Sequence, residues 1–190
     1  MTVEFLFFLL LAYMLGAIPF GKLVSHRRGI DIQKHGSGNI GFANVLRTLG
    51  WKPGVIVLVG DIAKGFIPVY FAKGYLTEYQ LMAVALCAVL GHVFPIWLKF
   101  KGGKGIATGL GITLAINLLL GILAVVVYLV SIAIFRKSGP SSITASWSLP
   151  LLSLIILPAF VWFYILMAIF ATWTHRTNLK DIKRGILHAR

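Results

Sequence analysis

Two stretches of 30 residues, Ile106–Phe135 and Ile143–Thr172, contain no Asp, Glu, Lys or Arg. A helix of that length is about 45 Å long, against a bilayer hydrocarbon core of about 30 Å. Three more apolar segments, about 3–24, 53–72 and 79–98, precede them. Charged residues make up only 12% of the chain and hydrophobic residues 58%, whereas a soluble domain keeps roughly a quarter of its residues charged. There is too little polar side chain to wet a globule. A soluble enzyme, a secreted disulfide scaffold and a disordered chain are excluded. The expectation is an all-α integral membrane protein, a single domain over residues 1–190.

Charge then sets the expected topology. Lys plus Arg number 18 and Asp plus Glu 5, a net charge of +13. The basic residues lie between the apolar runs, which points to a membrane face, anionic lipid or anionic substrates rather than nucleic acid. The first apolar segment has Glu4 before it and Lys22, Arg27 and Arg28 at or after its end. That is the reverse of a signal peptide, and reads as an uncleaved first helix with its N-terminus outside. Each 30-residue run fits either one long tilted span or a hairpin of two short helices. Asn117 and Gly121 in the first and Pro158 in the second favour hairpins. Hairpins also place 16 of the 18 basic residues inside, all but Lys64 and Lys73. Seven transmembrane helices, some short, with N-terminus out and C-terminus in, are therefore expected over the five-span alternative.

Residues 26–52 read as a polar loop, and three polar clusters fall on the inner side of that topology. The first is Gly36-Ser37-Gly38-Asn39-Ile40-Gly41, followed by Asn44 and Arg47. Small residues let backbone amides approach an anion, and Ser, Asn and Arg add directed donors. Its G-x-G-x-x-G spacing carries no dinucleotide reading, because membrane helices flank it instead of a βαβ unit. The second is Gly91-His92, then Lys101-Gly102-Gly103-Lys104-Gly105 and Thr108. Lys104 there sits near a helix N-terminus that itself favours an anion. The third is His175-Arg176-x-Asn178, with Ser141 and Ser142 in a link after Arg136. The i, i+3 spacing puts His175 and Asn178 on one helical face. Asp61 and Lys64, also at i, i+3, are expected to neutralise each other within the bundle.

The five acids leave no carboxylate pair for metal hydrolysis or aspartyl-phosphate chemistry, and no metal or other cofactor is expected. Cys87 lies in an apolar run, which excludes an intramolecular disulfide or cysteine zinc site. Arg, Lys, Ser, Asn and glycine at these positions suit phosphate. A transporter of a phosphate-bearing anion would want similar residues but also a polar path outward, and the outer loops are tiny. A membrane lipid phosphatase would need paired His and Arg-Pro motifs that are missing.

In this order the motifs resemble the bacterial membrane glycerol-3-phosphate acyltransferases that use acyl phosphate, the PlsY type. The resemblance covers Gly36-Ser37-Gly38-Asn39 through Asn44 and Arg47, Gly91-His92 through Lys104 and Thr108, and His175-Arg176-x-Asn178. Gly16-x-Ile18-Pro19, Asp61-x-x-Lys64-Gly65, Ser141-Ser142 and Gly185 also match. The chain departs from the pattern at Asp181 and Leu187, so nothing after Asn178 is carried over. The resemblance implies acyl transfer from acyl phosphate to glycerol 3-phosphate at the cytoplasmic face of the bacterial inner membrane, among membrane lipids, with a monomer as the expected state. It implies Lys104, His175, Ser142 and Asn178 as catalytic residues. It implies substrate binding by Ser37, Gly38, Asn39, Asn44, Arg47, His92, Gly102, Gly103 and Ser141.

Overall fold

The computed structural model describes residues 2–177, and among these it is helical, with no strand. The chain divides into two compact units, Met1–Leu118 and Leu119–Arg190. The first holds α1 (Val3–Gly16), α2 (Phe20–His26), α3 (Phe42–Leu49), α4 (Trp51–Ala72), α5 (Glu78–Val93) and α6 (Ile106–Ile116). From Leu118 the chain continues as α7 (Leu118–Phe135), α8 (Ser138–Ile156) and α9 (Val161–Thr174). Among the described residues, four helical stretches are long and apolar enough to cross a membrane: Val3–His26, Trp51–Ala72, Glu78–Leu98 and Leu118–Phe135.

Local chemistry explains most boundaries. Thr77 caps α5 in a reciprocal box with Gln80, satisfying two of the orphan donors at a helix start. Pro95 stops α5 from continuing. Gly50 takes φ 85°, a left-handed value open to glycine, and turns α3 directly into α4. The first apolar segment is broken rather than continuous, because the chain leaves helical geometry before Pro19 and restarts as α2. The polar loop expected over 26–52 contains α3, whose apolar residues Phe42, Val45, Leu46 and Leu49 recur at helical spacing. Val45 joins Ile32, Ile40 and Val57 in a buried cluster that Phe20, Val24 and Leu98 flank. The first uncharged run breaks at Asn117, where the backbone becomes extended, and Gly121 stays buried inside α7.

The second uncharged run folds as a hairpin. A short turn at Pro158–Phe160 joins α8 to α9, and the two helices pack together. Trp147 Nε1 donates to Thr172 Oγ1 at 3.0 Å, a pairing centred on that turn. The serines expected in a link instead open α8, beginning at Ser138. Pro140 is tolerated there because a first-turn amide needs no helical partner.

Within the first unit, glycines bring helices into backbone contact. A Cβ on Gly16 would strike the Ala88 carbonyl, and one on Gly91 the Tyr13 carbonyl, so α1 and α5 touch. Gly65 lies against the Thr108 carbonyl and Gly111 against that of Ile62, joining α4 to α6. Small residues at such contacts are how membrane helices gain packing where burial of apolar surface contributes little. The pairs Gly65–Thr108 and Lys73–Ile116 show α4 and α6 running in the same direction. Tyr75 lies beside Phe8 and Ala88 beside Gly16, so α1 and α5 also run alike. One end of the unit thus gathers the start of α1 and the 73–77 loop. The other end carries the loops at 27–41 and 94–105, the start of α4 and nearly all the basic residues.

Lys64 and Lys73, the two exceptions to the basic pattern, each serve a helix end. Lys73 Nζ donates to the Ile116 carbonyl at 2.7 Å, at the C-terminus of α6. Lys64 Nζ donates to the Ile18 carbonyl at 2.8 Å, in the break between α1 and α2. The Ile116 carbonyl would otherwise lack an intrahelical donor, whereas the Ile18 carbonyl also accepts from Phe20 N at 3.1 Å.

Candidate active site

The first cluster is a loop wound around one asparagine. Asn44 is buried at 2% exposure on α3. Its Nδ2 donates to the Asn39, His35 and Ile32 carbonyls at 2.9, 3.0 and 3.4 Å, and its Oδ1 accepts from Ser37 N at 2.9 Å. This commits both amide protons and one lone pair of the carboxamide oxygen. Asn44, expected among the substrate ligands, therefore shapes the loop from behind. Asn39 Oδ1 accepts from Gly41 N at 2.8 Å, closing a local turn. Gly36 and Gly38 take φ of 57° and 69°, which glycine adopts without strain. Ser37 and Arg47 remain exposed, with Arg47 Nε donating to the Ala43 carbonyl at 3.0 Å. Asp31 at the start of this loop is held by Lys22 in a hydrogen-bonded ion pair. That bond holds the Asp31 carboxyl below the usual carboxylate value of 3.8.

The second cluster abuts the first, since Gln33 Nε2 donates to the Lys101 carbonyl at 3.2 Å. After Pro95 the chain turns through Lys99 and Phe100, both at positive φ, and folds back over the end of α5. There Gly102 N donates to the Val93 carbonyl at 3.0 Å and Gly103 N to the His92 carbonyl at 3.1 Å. The two amides expected to cradle phosphate are thus committed to the chain itself. The glycines supply space instead: a Cβ on Gly103 would overlap the His92 ring, and one on Gly102 the His92 carbonyl. Gly105 at φ 83° then directs the chain into α6, leaving Lys104 two residues ahead of the helix, as its sequence position suggests.

His92, also expected as a substrate ligand, lies behind this loop at 3% exposure. Its Nδ1 is 3.1 Å from Thr108 Oγ1 and 3.6 Å from Asp61 Oδ1. Asp61 pairs with Lys64 at 2.8 Å, with side chains 3% and 2% exposed. The expected mutual neutralisation is present. Its extension to His92 and Thr108 has no local signal in the sequence, because those residues sit on different helices.

The third cluster lies within the second unit. Ser141 and Ser142 are buried near the start of α8, and Ser141 Oγ donates to the Lys137 carbonyl at 2.8 Å. The register of the α8–α9 hairpin puts them at the same open end as His175, which follows α9. His175 Nδ1 lies 2.8 Å from the Ala171 carbonyl. A carbonyl only accepts, so Nδ1 carries a proton, and whenever the ring is neutral the lone pair is on Nε2. Arg176 stacks on Trp173, 4.2 Å from the ring centre. Asn178 lies outside the described residues.

Comparison with known proteins gives one consistent answer. The family model described as glycerol-3-phosphate acyltransferase matches residues 6–185. The glycerol-3-phosphate acyltransferase of Desulforamulus reducens is 43% identical over 178 residues, 92% of this chain and 89% of that one. The enzyme of the same name from Thermus thermophilus is 42% identical over 181 residues, 93% and 90% of the two chains. The crystal structure of PlsY (YgiH), an integral membrane glycerol 3-phosphate acyltransferase in its glycerol 3-phosphate form, superposes with a TM-score of 0.91. It is 35% identical and covers 95% of this chain and 92% of its own. With motifs, helices and sequence in agreement over nearly its whole length, the chain belongs to the glycerol-3-phosphate acyltransferase family.

Proposed function

We propose that the chain transfers an acyl group from an acyl phosphate to the 1-hydroxyl of sn-glycerol 3-phosphate, releasing lysophosphatidate and inorganic phosphate. One observation carries this reading: the loops at one end of the first unit are basic and nearly free of carboxylate. Asp31 is the only acid there, and Lys22 already holds it. Both substrates bring phosphate, and such a surface favours anions without a metal. The relative of known structure is described in a glycerol 3-phosphate form and a lysophosphatidic acid form, which supports the acceptor and the product.

Lys104, Arg47 and Ser37, with the turn at Gly38–Asn39, hold phosphate groups in this reading. Ser141, Ser142, His175 and Asn178 position the acceptor. An acyl phosphate is a mixed anhydride, so its leaving group needs charge stabilisation more than protonation. The 1-hydroxyl oxygen attacks the acyl carbonyl carbon, the bond from that carbon to the phosphate oxygen breaks, and phosphate leaves with the electron pair. The hydroxyl proton passes to His175 Nε2 or to a phosphate oxygen of a substrate. The spans number seven, with the N-terminus outside and the C-terminus and basic loops at the cytoplasmic face of the bacterial inner membrane. The separation of basic from acidic ends in the first unit supports that orientation.

Phosphate release in detergent tests the reaction. Palmitoyl phosphate and glycerol 3-phosphate together are expected to release phosphate and lysophosphatidate in equal amounts, and neither alone to release any. Release without the acceptor would make the protein a phosphatase, and turnover with acyl-CoA would overturn the choice of donor.

A further inference from the structure

Four polar side chains, Asp61, Lys64, His92 and Thr108, are buried together on three helices of the first unit at 3% exposure or less. Ionisable groups at membrane depth are expensive. A buried ion pair is also poor evidence for stability, because apolar residues of similar volume often serve as well or better. The cluster's connections point to a different use.

Lys64 reaches the Ile18 carbonyl in the α1–α2 break at 2.8 Å. Asp61, bonded to Lys64, faces His92 Nδ1, which Thr108 Oγ1 also engages. His92 in turn supports the glycine loop twice, through its carbonyl to Gly103 N and through its ring, which fills the space a side chain at 103 would need. Lys104 is the next residue, and Thr108 lies in the first turn of α6 immediately beyond it. Both ends of the segment 103–108 therefore rest on one histidine, and Asp61 of the buried pair stands 3.6 Å from that histidine's Nδ1.

We propose that Asp61, Lys64 and Thr108 are positioning residues of the acyltransferase site, acting through His92 to hold the loop that presents Lys104. This rests on the reading that Lys104 contacts a substrate phosphate. A misplacement of the order of 1 Å in such a group costs about a hundredfold in rate, so the cluster matters to turnover more than to folding.

The experiment compares Asp61→Leu/Lys64→Met, Thr108→Val, Thr108→Ser and Lys104→Ala in detergent, by steady-state kinetics and thermal unfolding. The doubly apolar variant is expected to unfold at or above the wild-type temperature yet lose about ten- to a hundredfold in kcat. Thr108→Val is expected to lose activity without loss of stability, and Thr108→Ser, which restores the hydroxyl, to recover it. Added to Lys104→Ala, the doubly apolar change is expected to cost less than twofold more, because the group it positions is gone. Wild-type kcat in the folded doubly apolar variant, or a full additive loss in the Lys104→Ala background, would overturn the proposal while leaving the role of Lys104 intact. Full activity in Lys104→Ala alone would instead overturn the functional reading on which the proposal stands. Should the doubly apolar variant not fold, the Thr108 pair decides: equal, wild-type activity in Val and Ser overturns the positioning role.

Discussion

Lys104 and Asn44 belong to neighbouring loops but answer to different physics. Lys104 is a charge placed near the start of a helix, so its loss should appear in catalysis. Lys104→Ala and Arg47→Ala are each expected to cost about 1.5–3 kcal/mol in kcat/KM, more if the bond tightens in the transition state. The unfolding temperature should stay unchanged. Lys104→Arg should also be poor, because a planar guanidinium does not replace a compact ammonium. Asn44 is a buried staple, so its loss should appear first in stability. Asn44→Ala takes a partner from Ser37 N and the Asn39 carbonyl, while the His35 and Ile32 carbonyls keep their backbone donors, at about 1–3 kcal/mol for each orphaned group that water does not reach. Asn44→Asp should be worse, since a carboxylate cannot donate to those carbonyls, and thermal unfolding of the two variants checks this order. Asp31 adds a pH effect. Because Lys22 lowers its folded pKa, the pair's contribution is complete above the unfolded value of 3.8 and disappears as pH falls through the lower folded one. Asp31→Asn should therefore flatten the acid limb of the stability profile.

Among the helices, backbone approach is the organising quantity. At Gly65 on α4 an added Cβ meets the Thr108 carbonyl oxygen, part of a helix that cannot swing aside as a flexible side chain would. Gly65→Val is expected to destabilise by about 1–3 kcal/mol or more through overpacking. Gly74, in the loop after α4, has open space around it, and Gly74→Ala should change stability by no more than about 0.5 kcal/mol. Unfolding both variants in the same detergent separates contact-driven from merely local effects. If Gly65→Val were as stable as Gly74→Ala, the α4–α6 contact would be looser than the structure describes. The helix ends follow related logic. Lys64 and Lys73 place ammonium groups on carbonyls that a broken or ended helix leaves over, which is why two cations tolerate positions away from the basic end.

For the molecule as a whole, the proposed reaction and orientation make linked demands. Direct transfer between two phosphate-bearing substrates predicts sequential kinetics, activity that persists in chelator, and activity that survives Cys87→Ala. Ping-pong kinetics, or an acyl group trapped on Ser37 or Ser142, would indicate a covalent intermediate instead. The seven-span orientation predicts that a cysteine at Ser138, in a Cys87→Ala background, resists a membrane-impermeant reagent in intact cells and reacts after permeabilisation. Labelling from outside would favour five spans. The apolar exterior fits a bilayer, with Leu10 on α1, Val59 on α4 and Leu129 on α7 all exposed.

Much of this was legible in the linear sequence because it depends on composition and local spacing. Uncharged runs too long for a soluble core demanded a membrane, Asn117 and Pro158 marked real breaks, and i, i+3 spacing predicted the Asp61–Lys64 pair. The motifs carrying Ser37, Lys104 and His175 stood out because small and basic residues are rare inside apolar sequence. Helix α3 was missed although its apolar spacing was present, since the glycines before it suggested a loop throughout. The division of labour within the motifs was beyond sequence altogether. Asn44, His92 and the Gly102 and Gly103 amides have the chemistry of phosphate ligands, yet the fold spends their hydrogen bonds or their space on its own backbone. Residue type determines what a group can bond. Only the tertiary structure decides which partner arrives first, because a carbonyl or ring held at contact distance by packed helices has already lost the entropy that a diffusing substrate would still have to give up.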